Sequence, residues 1–242
     1  MFIPILNKEI VPGDCYTGVS NWSNCKRCRL HHTRHRVAIK RLGGSGHVKL
    51  MFIGEAAGEL ENKTGIPFVG VAGKILYHLF KHTHFQFQYL ITNTVGCRPV
   101  DVSFLDDDYT SKFDENFSLD DYIYEDDYEL LNWNREPTKA EIDLCKPHID
   151  ELMESYQPHG VAYLGKIAES YKDPKYLVSE TKLLEPEAKL FRHTGYKGGF
   201  VYRHVPTLSL FHPAYIARLE YKLLTIRKEA RKLDEFVERF LG

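Results

Sequence analysis

A chain of 242 residues, 43% hydrophobic and 27% charged, is long enough for one sizeable α/β domain with its own core, and this composition excludes a disordered or fibrous chain. Lys+Arg 32 against Asp+Glu 33 gives a net charge of −1, so bulk charge predicts no polyanion partner. The distribution says more: the stretch from Cys25 to Arg41 is strongly basic, while eleven acids and six aromatics with a single Lys fall between Asp106 and Glu129. Opposed patches inside a neutral total are compatible with nucleic-acid binding on one face. The start MFIPILNKEI lacks the basic and apolar regions of a secretion signal, and no stretch is apolar for long enough to span a membrane. Five cysteines that include a Cys-x-x-Cys pair favour a reducing compartment, the cytoplasm, and a metal or cluster site over a disulfide framework.

Residues 1–24 carry no clear periodicity and read as loop. After the basic segment, Gly43-Gly44-Ser45-Gly46 breaks the chain. The apolar run from Lys49 to Ile53 then reads as a buried strand over roughly 48–53, ended by Gly54. Glu55, Glu59 and Glu61 follow in a loop too long and acidic for a simple connection. Helical spacing of Ile75, Leu76, Leu79 and Phe80 predicts a helix over Ala72–His82, and FQYLIT predicts a second strand ending at Asn93. Residues 101–134 read as an acidic, aromatic surface insertion. Thr138-Lys-Ala-Glu141 is a capping box ahead of a helix to about Tyr156. A third strand ends at Gly165, with a helix from about Lys166; a fourth, Val205–Phe211, runs into His212-Pro213; an amphipathic helix covers Glu220–Leu241. Alternating strands and helices predict an α/β fold: three layers, α/β/α, around a central four-stranded parallel sheet, in a single domain spanning 1–242. Glu55, Asn93 and His212 then come to one edge of the sheet, where open α/β sheets bind ligands.

The Cys25-x-x-Cys28 pair grips one metal centre from a single turn, and Cys97 and Cys145 are available as two further ligands. Zinc and an iron–sulfur cluster both accept four thiolates. Cys15 is left over as a plain thiol, and His31, His32 and His35 belong to a solvated basic surface. Glu55 and Glu61 are placed to orient a water or stabilise an electron-poor sugar carbon; Glu59 reads as a solvent-facing acid. Phe68 is either a core anchor or a stacking plate for a planar base. Asn93 is either a turn residue or an amide that reads a nucleobase edge. His212 is either structural or an imidazole that stabilises a developing oxyanion.

Taken together, the blocks CKRCRL (25–30), GEAAGELENKTGIPFVGVAGKIL (54–76), ITNTVGCRP (91–99), EPTKAEIDLCKPHID (136–150), AYLGKIA (162–168) and PTLSLFHPAYIAR (206–218) resemble family 4 of the uracil-DNA glycosylase superfamily, the iron–sulfur glycosylases. The resemblance implies a monofunctional enzyme that flips uracil out of single-stranded or mismatched DNA and hydrolyses its N-glycosidic bond, initiating base excision repair. It implies a [4Fe–4S] cluster on Cys25, Cys28, Cys97 and Cys145, with zinc as the alternative. It implies catalytic roles for Glu55, Glu61 and His212, stacking of the base on Phe68 and reading of its edge by Asn93. The segment Ala214–Arg218, with Tyr215 and Arg218, matches the DNA-wedging loop. A monomer is expected, with a protein partner for the 101–134 insertion. A non-excising DNA-binding or replication-accessory protein on the same fold is the alternative function. Four positions depart from the family pattern: Ala57 stands for a Pro, Asn62 for an Asp, Gly96 for a Lys and Val100 for a second Pro. The insertion must loop out so that Cys97 and Cys145 still meet.

Overall fold

The computed structural model describes residues 22–100, 134–170 and 205–241, with the backbone of 193–194 and 201–202. Cys15 and nearly all of the insertion lie outside the described residues. The central element is β2 (Val48–Ala56), in which Leu50 and Phe52 feed the apolar layer on one face and Met51 and Ile53 the layer on the other. A strand buried on both faces needs apolar residues at every position, which explains its unbroken run. Around it the sheet order is β1-β3-β2-β4-β7, with β3 (Gln88–Val95), β4 (Gly160–Leu164) and β7 (Thr207–Leu210) parallel to β2. These are the four expected parallel strands. The sheet has a fifth, β1 (Arg41–Gly43), antiparallel to β3 at the edge. It begins at Arg41, the last residue of the basic segment, and its three residues carry no alternation long enough to read. A separate antiparallel pair joins β5 (His193–Thr194) to β6 (Val201–Tyr202).

Helices cover both faces. On one, α2 (Val71–Phe80), α5 (Pro213–Arg218) and α6 (Lys222–Phe240) bury Leu76, Leu79, Ile216, Ile226, Leu233 and Phe236 against Phe52, Ile91, Leu164 and Leu210. On the other, α3 (Lys139–Tyr156) and α4 (Lys166–Ser170) bury Ile149, Leu152, Met153 and Ala168 against Met51, Ile53, Leu90 and Val161. The capping box is present in full: Thr138 Oγ1 accepts from the Glu141 N–H at 3.2 Å, and the Glu141 carboxylate accepts from the Thr138 N–H at 2.8 Å. Arg135 adds a two-pronged bond to the same carboxylate, at 2.8 and 2.6 Å.

Four local expectations change. Gly54 does not end β2, because the strand continues through Glu55 to Ala56, and β3 likewise runs past Asn93 to Val95. The acidic loop contains a short helix, α1 (Glu59–Thr64), closed by a left-handed Gly65. Ala214–Arg218 lies on α5 rather than in a loop, because His212 caps that helix and Pro213 starts it with a fixed φ. The insertion leaves and returns at one point: the Arg135 N–H donates to Pro99 O at 3.1 Å, Arg135 Nε to Val100 O at 2.9 Å, and Arg98 Nε to Asn134 Oδ1 at 2.6 Å. Among the described residues no helix is long and apolar enough to cross a membrane.

Candidate active site

The carboxyl ends of the parallel strands carry the site. Gly54 pairs with Asn93 across β2 and β3, so Glu55 and Asn93 stand on neighbouring strands at the same level. Leu164 pairs with Leu210 across β4 and β7, and the chain reaches His212 two residues later. Gly54 lets the parts meet: a Cβ there would lie 2.4 Å from Asn93 Oδ1 and 2.5 Å from Phe68 Cζ. The amide and the ring therefore close over a backbone that has no side chain.

Phe68 is buried and has φ 56. A bulky residue in the left-handed region is strained and persists only when its surroundings hold it there. Glu61 Oε1 accepts the next two N–H groups, from Val69 at 2.9 Å and Gly70 at 2.8 Å, and Arg41 Nη1 donates to Phe68 O at 3.3 Å. Gly73 completes the clamp, since a Cβ there would fall 1.8 Å from Phe68 O. Glu61 is itself buried in α1, and its Oε1 braces the loop. Phe68 is at once a core residue and a plate near the site, its ring 6.5 Å from that of His212 at 45°.

Asn93 is 1% exposed, and its Oδ1 is buried without a hydrogen-bond partner among the described residues. An unpartnered buried amide oxygen costs about 1–3 kcal/mol. Its backbone carbonyl is satisfied at 2.9 Å by Nε2 of His148, a fully buried residue of α3. Burial holds the His148 imidazole below its usual pKa, and its Nδ1 faces Cys145 O. His148 thus joins the cysteine-bearing helix to the strand that carries Asn93. Sequence reasoning missed it. The available signal was its position three residues after Cys145, on the same helix face.

His212 is held neutral by burial, with the Arg218 charge a smaller cause, which together push its pKa down to about 4. Its Nδ1 accepts the Ala214 N–H at 3.2 Å. A neutral imidazole whose Nδ1 is an acceptor carries its proton on Nε2, so Nε2–H is the donor it offers. Glu55 is half-buried; burial and then the Glu136 charge raise its pKa above the usual carboxyl value. Its carbonyl is bonded by Thr94 Oγ1. Glu59 faces solvent and pairs with Lys63 at 2.6 Å, as expected. Tyr215 and Arg218 are exposed on α5.

The four cysteines converge at the end of β3, where Cys25, Cys28, Cys97 and Cys145 line one pocket with Trp22, Arg27, Arg34, Val37, Val95 and Leu144. Burial is the main cause that raises the thiols of Cys28 and Cys145 and pushes Cys97 up to about 12. Arg27 and Arg34 act in the opposite direction on Cys145 and Cys97. Among the described residues no three His, Cys, Asp or Glu side chains are grouped closely enough to hold a single metal ion. The departures from the family pattern are absorbed structurally. Ala57 is buried with its N–H on Val95 O at 3.3 Å, Asn62 Oδ1 accepts from His35 N–H at 3.0 Å, and Gly96 O accepts from Ala38 N–H at 2.7 Å.

A buried aromatic ring, a buried amide oxygen and a neutral imidazole thus lie near the carboxyl ends of a parallel sheet in an α/β fold. The family model described as the uracil DNA glycosylase superfamily matches residues 42–241, and the chain belongs to that superfamily. It is 27% identical to the Type-4 uracil-DNA glycosylase of Saccharolobus solfataricus over 221 residues, 90% of this chain and 87% of that protein. It is 28% identical to the Type-4 uracil-DNA glycosylase of Sulfurisphaera tokodaii over 195 residues, 79% of this chain and 70% of that protein. The Type-4 enzyme of Thermotoga maritima is 28% identical over 218 residues, 89% of this chain and 90% of that protein.

Proposed function

We propose that the chain is a uracil-DNA glycosylase that takes uracil out of single-stranded or mismatched DNA and hydrolyses its N-glycosidic bond, leaving an abasic site for base excision repair. The observation that carries this reading is the unpartnered Asn93 Oδ1, buried between Gly54 and Phe68. Uracil presents an N3–H donor beside its O4 acceptor, and a carboxamide meets both. Cytosine presents the reverse pattern, so a fixed amide discriminates between the two. Flipping costs a few kcal/mol, which stacking on Phe68 and pairing with Asn93 offset.

As the C1′–N1 bond breaks, positive charge grows on the sugar and negative charge on uracil O2. The Glu55 carboxylate stabilises the first and accepts a proton from the attacking water, whose oxygen bonds to C1′. Glu61 holds the same water through Oε2 while Oε1 keeps the Phe68 loop in place. The Nε2–H of His212 donates to O2, a neutral donor that needs no proton transfer of its own. The bonding electrons leave with N1, and the uracil anion is protonated by solvent. Tyr215 and Arg218 face the DNA strand. The test is release of free uracil from single-stranded and U·G oligonucleotides, with a Glu55→Gln variant that binds them. Binding without release by the unaltered protein would sink the reading.

The cysteine pocket fits a [4Fe–4S] cluster. A single zinc ion needs its sulfurs about 2.3 Å from one point, whereas a cluster takes one thiolate per iron and so accepts a wider set. An apolar pocket that disfavours bare thiolates, with Arg27 and Arg34 beside it, suits thiolates neutralised by iron. Bound there, the cluster supplies a cross-link between the segment 25–28, the end of β3 and α3, with no redox step in the hydrolysis. Broad visible absorbance and about four irons per chain are the expected results; one zinc per chain would replace the cluster with the alternative.

A further inference from the structure

His148 of α3 has no exposure to solvent, yet its ring carries two nitrogens that need partners. Burying a polar ring is costly unless those atoms are bonded. Nε2 stands 2.9 Å from Asn93 O and 3.4 Å from Thr92 Oγ1, while Nδ1 faces Cys145 O. The Thr92 hydroxyl gives its own proton to Ile39 O at 2.5 Å. Nε2 therefore faces two acceptors, and the N–H of the ring is assigned to it. The ring is also held in place from the side. Trp22 meets it edge-on with centroids 5.7 Å apart, and Trp22 Nε1 donates at 2.7 Å to Oε2 of Glu151, three residues further along the same helix.

The edge strand β1 stops opposite Ile91, two residues before Asn93. His148 braces β3 just beyond that point. The side chain of Asn93 has no such anchor at Oδ1, which lacks a partner among the described residues. Its aim is therefore set by the backbone of β3 and by packing over Gly54. The segments 93–97 and 145–148 each run from one end of the His148–Asn93 bond to a cysteine of the pocket, Cys97 or Cys145. Bond and pocket thus close the two ends of one short frame.

We propose that His148 is a positioning residue for uracil recognition: its Nε2–H holds the Asn93 backbone, and with it the amide that meets the base edge, in a fixed place beside Phe68. The inference rests on the uracil-excision reading and adds to it a residue that touches no substrate. A ring of similar size without the donor would fill the same space and leave the amide free to shift.

The test is a double-mutant cycle between His148 and Asn93. Binding is measured in the non-cleaving Glu55→Gln background, by fluorescence anisotropy, on chains of equal metal content. Two single strands are compared, with uracil or cytosine at the same position, because the amide separates these two bases. His148→Phe is expected to lower the preference for uracil about tenfold, and to cost nothing further once Asn93→Ala is in place. His148→Gln, whose amide nitrogen reaches the place of Nε2, is expected to keep the preference. His148→Asn, which reaches only the place of Nδ1, is expected to lose it. Additive penalties, an unchanged preference in His148→Phe, or equal preference in the Gln and Asn variants overturns the inference. Melting curves and metal content report folding; if His148→Phe does not fold, the Gln and Asn variants decide. Uracil release by the unaltered protein is measured alongside. No release with the coupling intact fails the excision reading and leaves His148 its role, whereas release with additive penalties fails this inference alone.

Discussion

The tautomer of His212 follows from a single backbone contact. Because Ala214 N–H occupies Nδ1, the only proton of the neutral ring is on Nε2, the donor that the proposed mechanism assigns to uracil O2. Removal of an oxyanion donor typically costs 10²–10³ in rate, so His212→Asn is expected to lower kcat about 300-fold with KM little changed, read in single-turnover and steady-state assays. The ring stays neutral down to about pH 4, so the acid limb of the rate belongs to Glu55, and burial places it above the usual carboxyl value. The expected profile falls on the acid side at a pH above 4.5, and His212→Asn retains that limb. Asn93→Asp removes the amide donor and leaves two acceptors facing O4. A site built around a lost hydrogen bond discriminates by about 10⁴, so kcat/KM for uracil is expected to fall on the order of 10³–10⁴; equal excision by the variant and the unaltered protein would exclude Asn93 as the reader.

At the level of elements, the site depends on how the end of β2 is clamped to the start of α2. Gly54 leaves space that Phe68 and Asn93 fill, and Gly54→Ala forces the ring or the amide to move. Overpacking of this kind costs about 1–3 kcal/mol, and the expected result is a modest fall in melting temperature with a much larger loss of uracil excision. Glu61→Ala strips two N–H groups of a charged acceptor and frees the strained Phe68, at a cost of about 3 kcal/mol. Differential scanning calorimetry reads the stability, and release of uracil from oligonucleotides, expected to fall, reads the plate. The residues of this clamp were legible in part. Glu61, Phe68 and the glycines stood out in one stretch, but that Glu61 holds the N–H groups of Val69 and Gly70 depends on helix α1, which six residues of mixed polarity do not announce. Arg41 was invisible as a support for Phe68, because the two meet only when β1 joins the sheet edge.

Across the whole molecule, the cysteine pocket and the candidate site share strand β3. The pocket gathers the basic segment, the end of β3 and α3, while His148 runs from Cys145 O to Asn93 O. Acid stability follows from His212. Its folded pKa is about 4 against an ordinary 6.5, so the unfolded chain binds more protons in that window and stability falls as pH drops through it. Between pH 6.5 and 4 the melting temperature of the unaltered protein is expected to decline more steeply than that of His212→Asn. Parallel curves would show that the ring is accessible to protons in the folded state.

The sequence by itself determined the layers and most of the elements. Apolar runs of strand length, helical spacing in α2, α3 and α6, and the Thr138–Glu141 capping box are local signals. They survive folding because burial and capping act on neighbouring residues. It also placed Glu55 and His212 near the ends of strands, while Asn93 lies inside β3 two residues before its end, and the family resemblance implied that Cys97 and Cys145 meet across the insertion. Only the tertiary structure decided the rest: the antiparallel edge strand β1, the strained φ of Phe68, the proton position on His212 and the loneliness of Asn93 Oδ1. Each depends on a contact between residues distant in the chain, such as Arg41 with Phe68 or His148 with Asn93. No local pattern encodes such a contact, because its energy exists only once the sheet and both helical layers are in place.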